Sequence, residues 1–203
     1  MEPQVYHYTL NDLLCLSKFK QSFEPVSSDD IIKAITEWAE QEVMAGNDSE
    51  SLLILASLNL DKTPDTDDVY YYLNRFMREQ GICYPEDKLS ALTWLKITLW
   101  HITHCTDAQT AEAYLHYFAT HCWDINPGFF PRACNYLYCF YFYLFDSYGN
   151  QYCTPAEEMT ADELLTCIQE RVSQIERKLI NQDWLAFLTA RDTNRGLAET
   201  VSE

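Results

Sequence analysis

Apolar residues recur three and four apart along most of this chain, and short polar clusters interrupt them. That rhythm predicts helices. Thr9 or Asn11 can cap a first one carrying Leu10, Leu13, Leu14, Leu16 and Phe19, which Pro25 ends. Ser27 to Asp30 supplies cap oxygens and carboxylates for a second, with Ile31, Ile35 and Trp38 facing inward and Gly46 as its stop. Asn47, Asp48 and Ser49 restart the chain before Leu52, Leu53, Ile54, Leu55, Ala56 and Leu58, a helix expected to be buried on most sides. The polar loop from Asp61 to Asp68 then leads into Val69, Tyr72, Leu73 and Phe76, closed by Gly81. Residues 48–81 therefore read as a helical hairpin.

The same reading continues downstream. Pro85 opens a helix with Leu89, Leu92, Leu95, Leu99 and Ile102 as a stripe, and Thr106 and Asp107 cap the next, with Ala111, Tyr114, Leu115, Phe118 and Cys122. Thr154 to Glu157 and Thr160 to Glu163 both carry the capping-box pattern, and the second precedes the stripe Leu164, Ile168, Val172, Ile175, Leu179. Trp184, Leu185 and Leu188 extend that helix or form a short one.

One stretch breaks the pattern. From Cys134 to Phe145 every residue except Asn135 is apolar or aromatic. Aromatic residues also suit strands, but the run follows Pro131, reaches Asp146 unbroken and sits among helical neighbours. A helix without a polar face must be wrapped by others, and this one is too short to span a bilayer. The expected fold is all-α: a single-domain bundle of about eight helices, built of hairpins around this buried aromatic helix. It spans residues 1–203, with the tail fraying from about 196.

Composition agrees. Five Gly and seven Pro in 203 residues argue against a turn-rich β-protein, and five Trp, ten Phe and fourteen Tyr can fill a large core. No basic region followed by an apolar run stands near Met1, so no secretory signal is expected. The eight Cys include no CxxC pair, which favours free thiols in a reducing cytoplasm over a disulfide framework.

Charge adds a functional constraint. Fourteen basic residues against 31 acidic give −17, which disfavours nucleic acid as a partner and favours basic proteins. Eleven acids and two Lys between Asp29 and Asp68 hold −9 of that total. An acidic face interrupted by exposed tyrosines suits a cationic protein surface; caps and a solvated face are the plain alternative.

The sharpest chemical candidate is His101, His104 and Cys105, with His116, His121 and Cys122 downstream. His101 and Cys105 share a helix face, and zinc takes such N and S ligands, but the spacing matches no closed zinc motif. Neither a nucleophile elbow nor a Gly-rich phosphate loop is present. Cys beside His does not make a dyad unless the fold joins their side chains. The expectation is no catalytic residue, no metal and no cofactor.

The segments Ser51 to Asp61 and Val69 to Gly81, set in an acidic helical chain, resemble bacterial immunity proteins of contact-dependent growth-inhibition systems. The resemblance implies a cytoplasmic, non-enzymatic inhibitor whose partner is a cognate toxin, often a basic nuclease domain, and whose mechanism is occlusion of the active site. Read with the charge pattern, Glu37, Glu40, Asp61, Asp65, Asp67 and Asp68, with Tyr70 and Tyr71, become the expected binding residues, with no nucleic-acid or membrane partner. The alternative is a helical adaptor that holds a peptide in an aromatic-lined groove.

Overall fold

The computed structural model describes residues 5–20, 28–60, 64–121, 130–146 and 154–189. These hold nine α-helices and two 3₁₀ turns, with no strand among the described residues, so the all-α expectation holds. The tail beyond 196 lies outside them. Contacts divide the chain into two compact units: 6–94, the N-terminal unit, and 95–203 with 1–5, the C-terminal unit.

The N-terminal unit contains α1 (Leu10–Lys20), α2 (Ser28–Met44), α3 (Glu50–Ser57), a 3₁₀ turn (Leu58–Leu60) and α4 (Thr66–Gln80). Each start has its own oxygen. Thr9 and Asp12 exchange backbone-to-side-chain bonds across the first turn of α1, Ser49 accepts from the Leu52 N–H, and Asp65 caps α4. Gly46 and Gly81 end α2 and α4 with φ of 101° and 67°, values that L side chains resist. The next residues, Asn47 and Ile82, donate back to Glu42 and Met77, closing both ends in the same way.

α2, α3 and α4 pack pairwise, and α1 lies on α2. Ile35, Leu52, Leu55, Val69 and Leu73 are fully buried between them, and Trp38 meets Phe76 edge to face at 5.8 Å. Burying each such aliphatic side chain contributes about 1.5–3 kcal/mol. α3 is less enclosed than its sequence suggests: Ser51, Leu52 and Leu55 face inward while Leu53 is exposed, because eight residues meet neighbours on one side only.

α5 (Asp87–His104) carries the boundary between the units. It begins two residues after Pro85, and Lys18 anchors its start by pairing with Asp87 at 2.7 Å and donating to the Pro85 carbonyl. From Ser90 to His104, Lys96 is the one exposed residue; Trp94, Leu95, Ile97, Leu99 and Ile102 are all buried. Leu89, expected in the buried stripe, is exposed in the first turn.

The C-terminal unit adds α6 (Ala108–His121), α7 (Pro131–Phe145), a second 3₁₀ turn (Pro155–Glu158), α8 (Ala161–Ile180) and α9 (Gln182–Thr189). Both expected capping boxes form, at Thr154 with Glu157 and at Thr160 with Glu163. Trp184 and Leu185 belong to a separate short helix, α9, capped by the Asn181 side chain. The Gln169 amide of α8 donates to the Ile102 and Cys105 carbonyls at the end of α5, satisfying oxygens that the helix leaves open.

α7 is the main correction. The apolar run is a helix, but not a wrapped one. Ala133, Cys134, Leu137, Phe140 and Leu144 face the core; Asn135, Cys139 and Tyr143 are exposed, Tyr143 by 65%. Among the described elements α6, α9 and the second 3₁₀ turn pack on it, and the line through Asn135, Cys139 and Tyr143 stays in solvent. Its start is strained: Phe130, buried, sits at φ 50° with no side-chain cap, and Pro131 follows.

Candidate protein-binding surface

The acids singled out by sequence fall on two helices of the N-terminal unit. α2 buries Ile31, Ile32, Ile35, Trp38 and Ala39, which turns Lys33, Glu37, Glu40 and Met44 outward. Lys33 and Glu37 pair at 3.6 Å across one turn, an exposed contact of little energetic weight. Glu40 accepts from the Asn59 amide at 2.6 Å, and the Asn59 carbonyl accepts from the Thr36 hydroxyl. Glu40 thus ties the 3₁₀ turn before α4 to the middle of α2. Sequence gave no sign of this, because the partners lie 19 residues apart and neither belongs to a motif.

The start of α4 gathers three carboxylates. Asp65 accepts from the Asp67 and Asp68 amides at 2.8 and 3.2 Å, so it serves as the cap. Asp67 and Asp68 project into solvent from the first turn, where the positive end of the helix dipole favours them. Among the described residues, Glu40, Asp65, Asp67 and Asp68 have no ion pair. Asp61 lies outside those residues.

The tyrosines separate. Tyr71 is 57% exposed and meets Tyr72 edge to face at 5.1 Å. It shares the outward stripe of α4 with Asp67, Asn74 and Arg78, at helical spacing. Tyr70 is half-buried beside Tyr84, whose hydroxyl is held above its usual range first by burial and then by the Tyr70 phenol. Tyr71 is therefore the aromatic contact available to a partner.

Exposed Arg78 stays on the stripe that carries Asp67 and Tyr71; the other cation of α4 is Arg75. It is engaged elsewhere, bonding Glu50 at 2.8 Å and Glu79 at 3.0 Å. Glu79 also accepts from Ser51 and Ser49, and these bonds, the Ser51 hydroxyl first, hold its carboxyl below the usual range. Arg75 and Glu79 at i and i+4 were legible as a pair; the reach to α3 was not.

The imidazole region of the C-terminal unit is a packed layer. His104 stacks on Trp100 at 4.3 Å, and His101 stacks on Tyr114 at 5.5 Å. The Nδ1 of His104 lies 2.9 Å from both the Trp100 carbonyl and the Thr103 hydroxyl. Burial, then the neighbouring His104, holds His101 below the usual histidine range and therefore neutral. The Cys105 thiol donates to the Ile102 carbonyl, and burial, then Asp107, pushes it above the ordinary thiol range. A protonated thiol bonded to a carbonyl is not an activated nucleophile. These groups and Thr110 line a recess of about 220 Å³. Among the described residues no group of three or more His, Cys, Asp or Glu could hold a metal ion. His116 is exposed on α6 with its ring 5.1 Å from Tyr141; the His121 side chain and Cys122 lie outside the described residues.

The six described thiols are free, as expected, but they differ in exposure. Cys15 and Cys134 are buried, but Cys83 and Cys139 are exposed. No described helix is long and apolar enough to cross a membrane.

No family model, curated protein or solved structure matches the chain.

Proposed function

We propose that this chain is a non-catalytic inhibitor acting in the cytoplasm, an immunity protein that binds a cationic toxin domain through the α2–α4 surface of its N-terminal unit. One observation carries the reading: exposed carboxylates at Glu37, Glu40, Asp65, Asp67 and Asp68 with Lys33 as their sole described ion-pair partner. Segment 29–68 holds a net −9, while the rest of the N-terminal unit is neutral, with five acids and five bases. The acidity of this unit is thus localised.

The mechanism is electrostatic and steric. A nuclease holds phosphates with Lys and Arg; Asp67, Asp68 and Glu37 would offer those cations carboxylates instead, and Tyr71 would supply desolvated contact area among them. Long-range attraction speeds encounter, and bulk over the cleft excludes the nucleic acid.

The test is to identify the product of the reading frame immediately upstream, where the proposal expects a cationic toxin domain, and to titrate it with this chain. The expected result is a one-to-one complex and stoichiometric loss of nuclease activity. A neighbouring product that is not cationic, or one whose activity survives excess of this chain, would overturn the assignment.

A further inference from the structure

The joint between α5 and α6 carries chemistry that the acidic surface does not use. Four rings line its recess of about 220 Å³, those of Trp100, His101, His104 and Tyr114, and all four residues are half-buried. They form two stacks, Trp100 with His104 at 4.3 Å and His101 with Tyr114 at 5.5 Å. Trp100 meets His101 at 83° with centroids 5.3 Å apart, so the stacks stand at right angles and the layer has a corner. Asp107 lines the same recess and is exposed. Hydrogen bonds from Thr110, its backbone N–H first, hold the Asp107 carboxyl below the usual range, so it carries a full negative charge at neutral pH. Among the described residues no Lys or Arg lines the recess.

The polar groups around these rings are largely spoken for. The Ile102 carbonyl accepts from the Cys105 thiol, and the Cys105 carbonyl accepts from the Gln169 amide at 2.9 Å. The His101 carbonyl accepts from the Cys105 N–H, and one Asp107 oxygen accepts from the Thr110 N–H at 2.7 Å. An anion therefore finds that N–H taken, and the Asp107 charge repels it. A primary ammonium brings three donors and a guanidinium five, more than the remaining acceptors can satisfy. A cation that donates no hydrogen bond leaves nothing unpaired.

We propose that this recess binds a quaternary ammonium head group, seated in the corner of the two ring stacks and neutralised by Asp107. The negative faces of aromatic rings attract such a cation, and rings set at right angles meet a rounded trimethylammonium group from two directions. The recess holds the volume of roughly seven waters at about 30 Å³ each, which suits a head group and not a drug-sized molecule. The proposal stands apart from the inhibitor reading, since it uses other helices and the other unit.

Titration of the isotope-labelled full chain with choline chloride, followed by NMR, tests it. About pH 8 and about 0.15 M salt keep the imidazoles neutral and screen diffuse attraction to a −17 chain. Saturable shifts are expected at residues 100–114, the Trp100 indole included, with Kd on the order of 1 mM. Dimethylbutanol, the uncharged analogue with carbon in place of nitrogen, should bind about tenfold more weakly or less, and so should ethanolamine, which carries N–H groups in place of methyls. Asp107→Asn keeps an acceptor for Thr110 and should weaken choline by about threefold to tenfold; Tyr114→Leu should weaken it by about tenfold or more. The two analogues and Asp107→Asn leave the core untouched, so the test stands even where Tyr114→Leu misfolds. A peptide bearing trimethyllysine runs alongside. Binding about tenfold tighter than choline assigns the head group to a protein side chain, and comparable binding assigns it to a free small molecule. Equal binding of dimethylbutanol or ethanolamine, shifts spread over the acidic surface, unchanged affinity in Asp107→Asn, or no saturation by about 50 mM would each overturn the proposal.

Discussion

α4 and α7 are both 15 residues long, and each buries one stripe: Val69, Leu73, Phe76 and Met77 in the first, Ala133, Cys134, Leu137, Phe140 and Leu144 in the second. Their inner faces are alike. Their outer faces are not. α4 shows water Asp67, Asp68 and Arg78; α7 shows it Asn135, Cys139 and Tyr143. Their ends differ too, since α4 has a carboxylate cap and a glycine stop while α7 starts at a strained Phe130 without a side-chain cap. The contrast shows that apolar character along a helix says how much could be buried, and the neighbours decide how much is.

The largest effects should come from the inner stripes. Leu73→Ala and Leu137→Ala should each cost about 2–5 kcal/mol by denaturant unfolding, whereas Tyr71→Ala and Tyr143→Ala should stay within about 0.5 kcal/mol. If Tyr143→Ala costs as much as Leu137→Ala, α7 is enclosed after all and the comparison fails.

Next in size is the helix start. Asp65→Ala should cost about 1 kcal/mol, and Asp65→Asn much less, because asparagine still accepts from the amides of Asp67 and Asp68. Equal losses for the two variants would mean that the charge, not the cap geometry, holds the start of α4.

A smaller effect separates the units by pH. His101 has a depressed folded pKa, so the unfolded chain takes up a proton that the folded one resists. Stability should therefore fall as pH drops through the ordinary histidine value of about 6.5 toward the lower folded value. His101→Phe, which keeps a flat ring on Tyr114, should flatten stability between about pH 7.5 and 5.5. Glu79 of the N-terminal unit, and Asp107 and Glu163 of the C-terminal one, are shifted the other way, being carboxyls held low. Their contribution is present above the ordinary carboxyl values and is lost only as pH falls through the folded ones. Hydrogen exchange that loosens the α5–α6 joint only below the carboxyl range would rule out the His101 account.

Much of the fold was legible because it is local. Asp65, Gly81, Thr160 with Glu163, and the spacing of Val69 to Phe76 each act within a few residues, so composition and order suffice. α7 was not legible in the same way. Its one polar residue, Asn135, does lie on the exposed line, but with aromatic residues on every side a single polar position does not define a face, and the run reads as fully wrapped. The candidate surface divides similarly. The carboxylates of Asp65, Asp67 and Asp68 were readable as a helix start, but the Glu40 bond to Asn59 and the removal of Arg75 by Glu50 depend on how α2, α3 and α4 pack. The spacing of the imidazoles raised zinc ligation only as a candidate without a closed motif, and the rings of His101 and His104 stack on Tyr114 and Trp100.

The account rests most heavily on the carboxylates of the N-terminal unit, and association kinetics address them directly. The rate constant for binding the upstream-encoded toxin domain should be measured against salt for the native chain and for the combined variant Glu37→Gln, Glu40→Gln, Asp67→Asn and Asp68→Asn. The native rate should fall steeply as salt rises, and the variant should start about tenfold or more lower with a flatter slope. Superimposable curves would contradict the assignment of this surface.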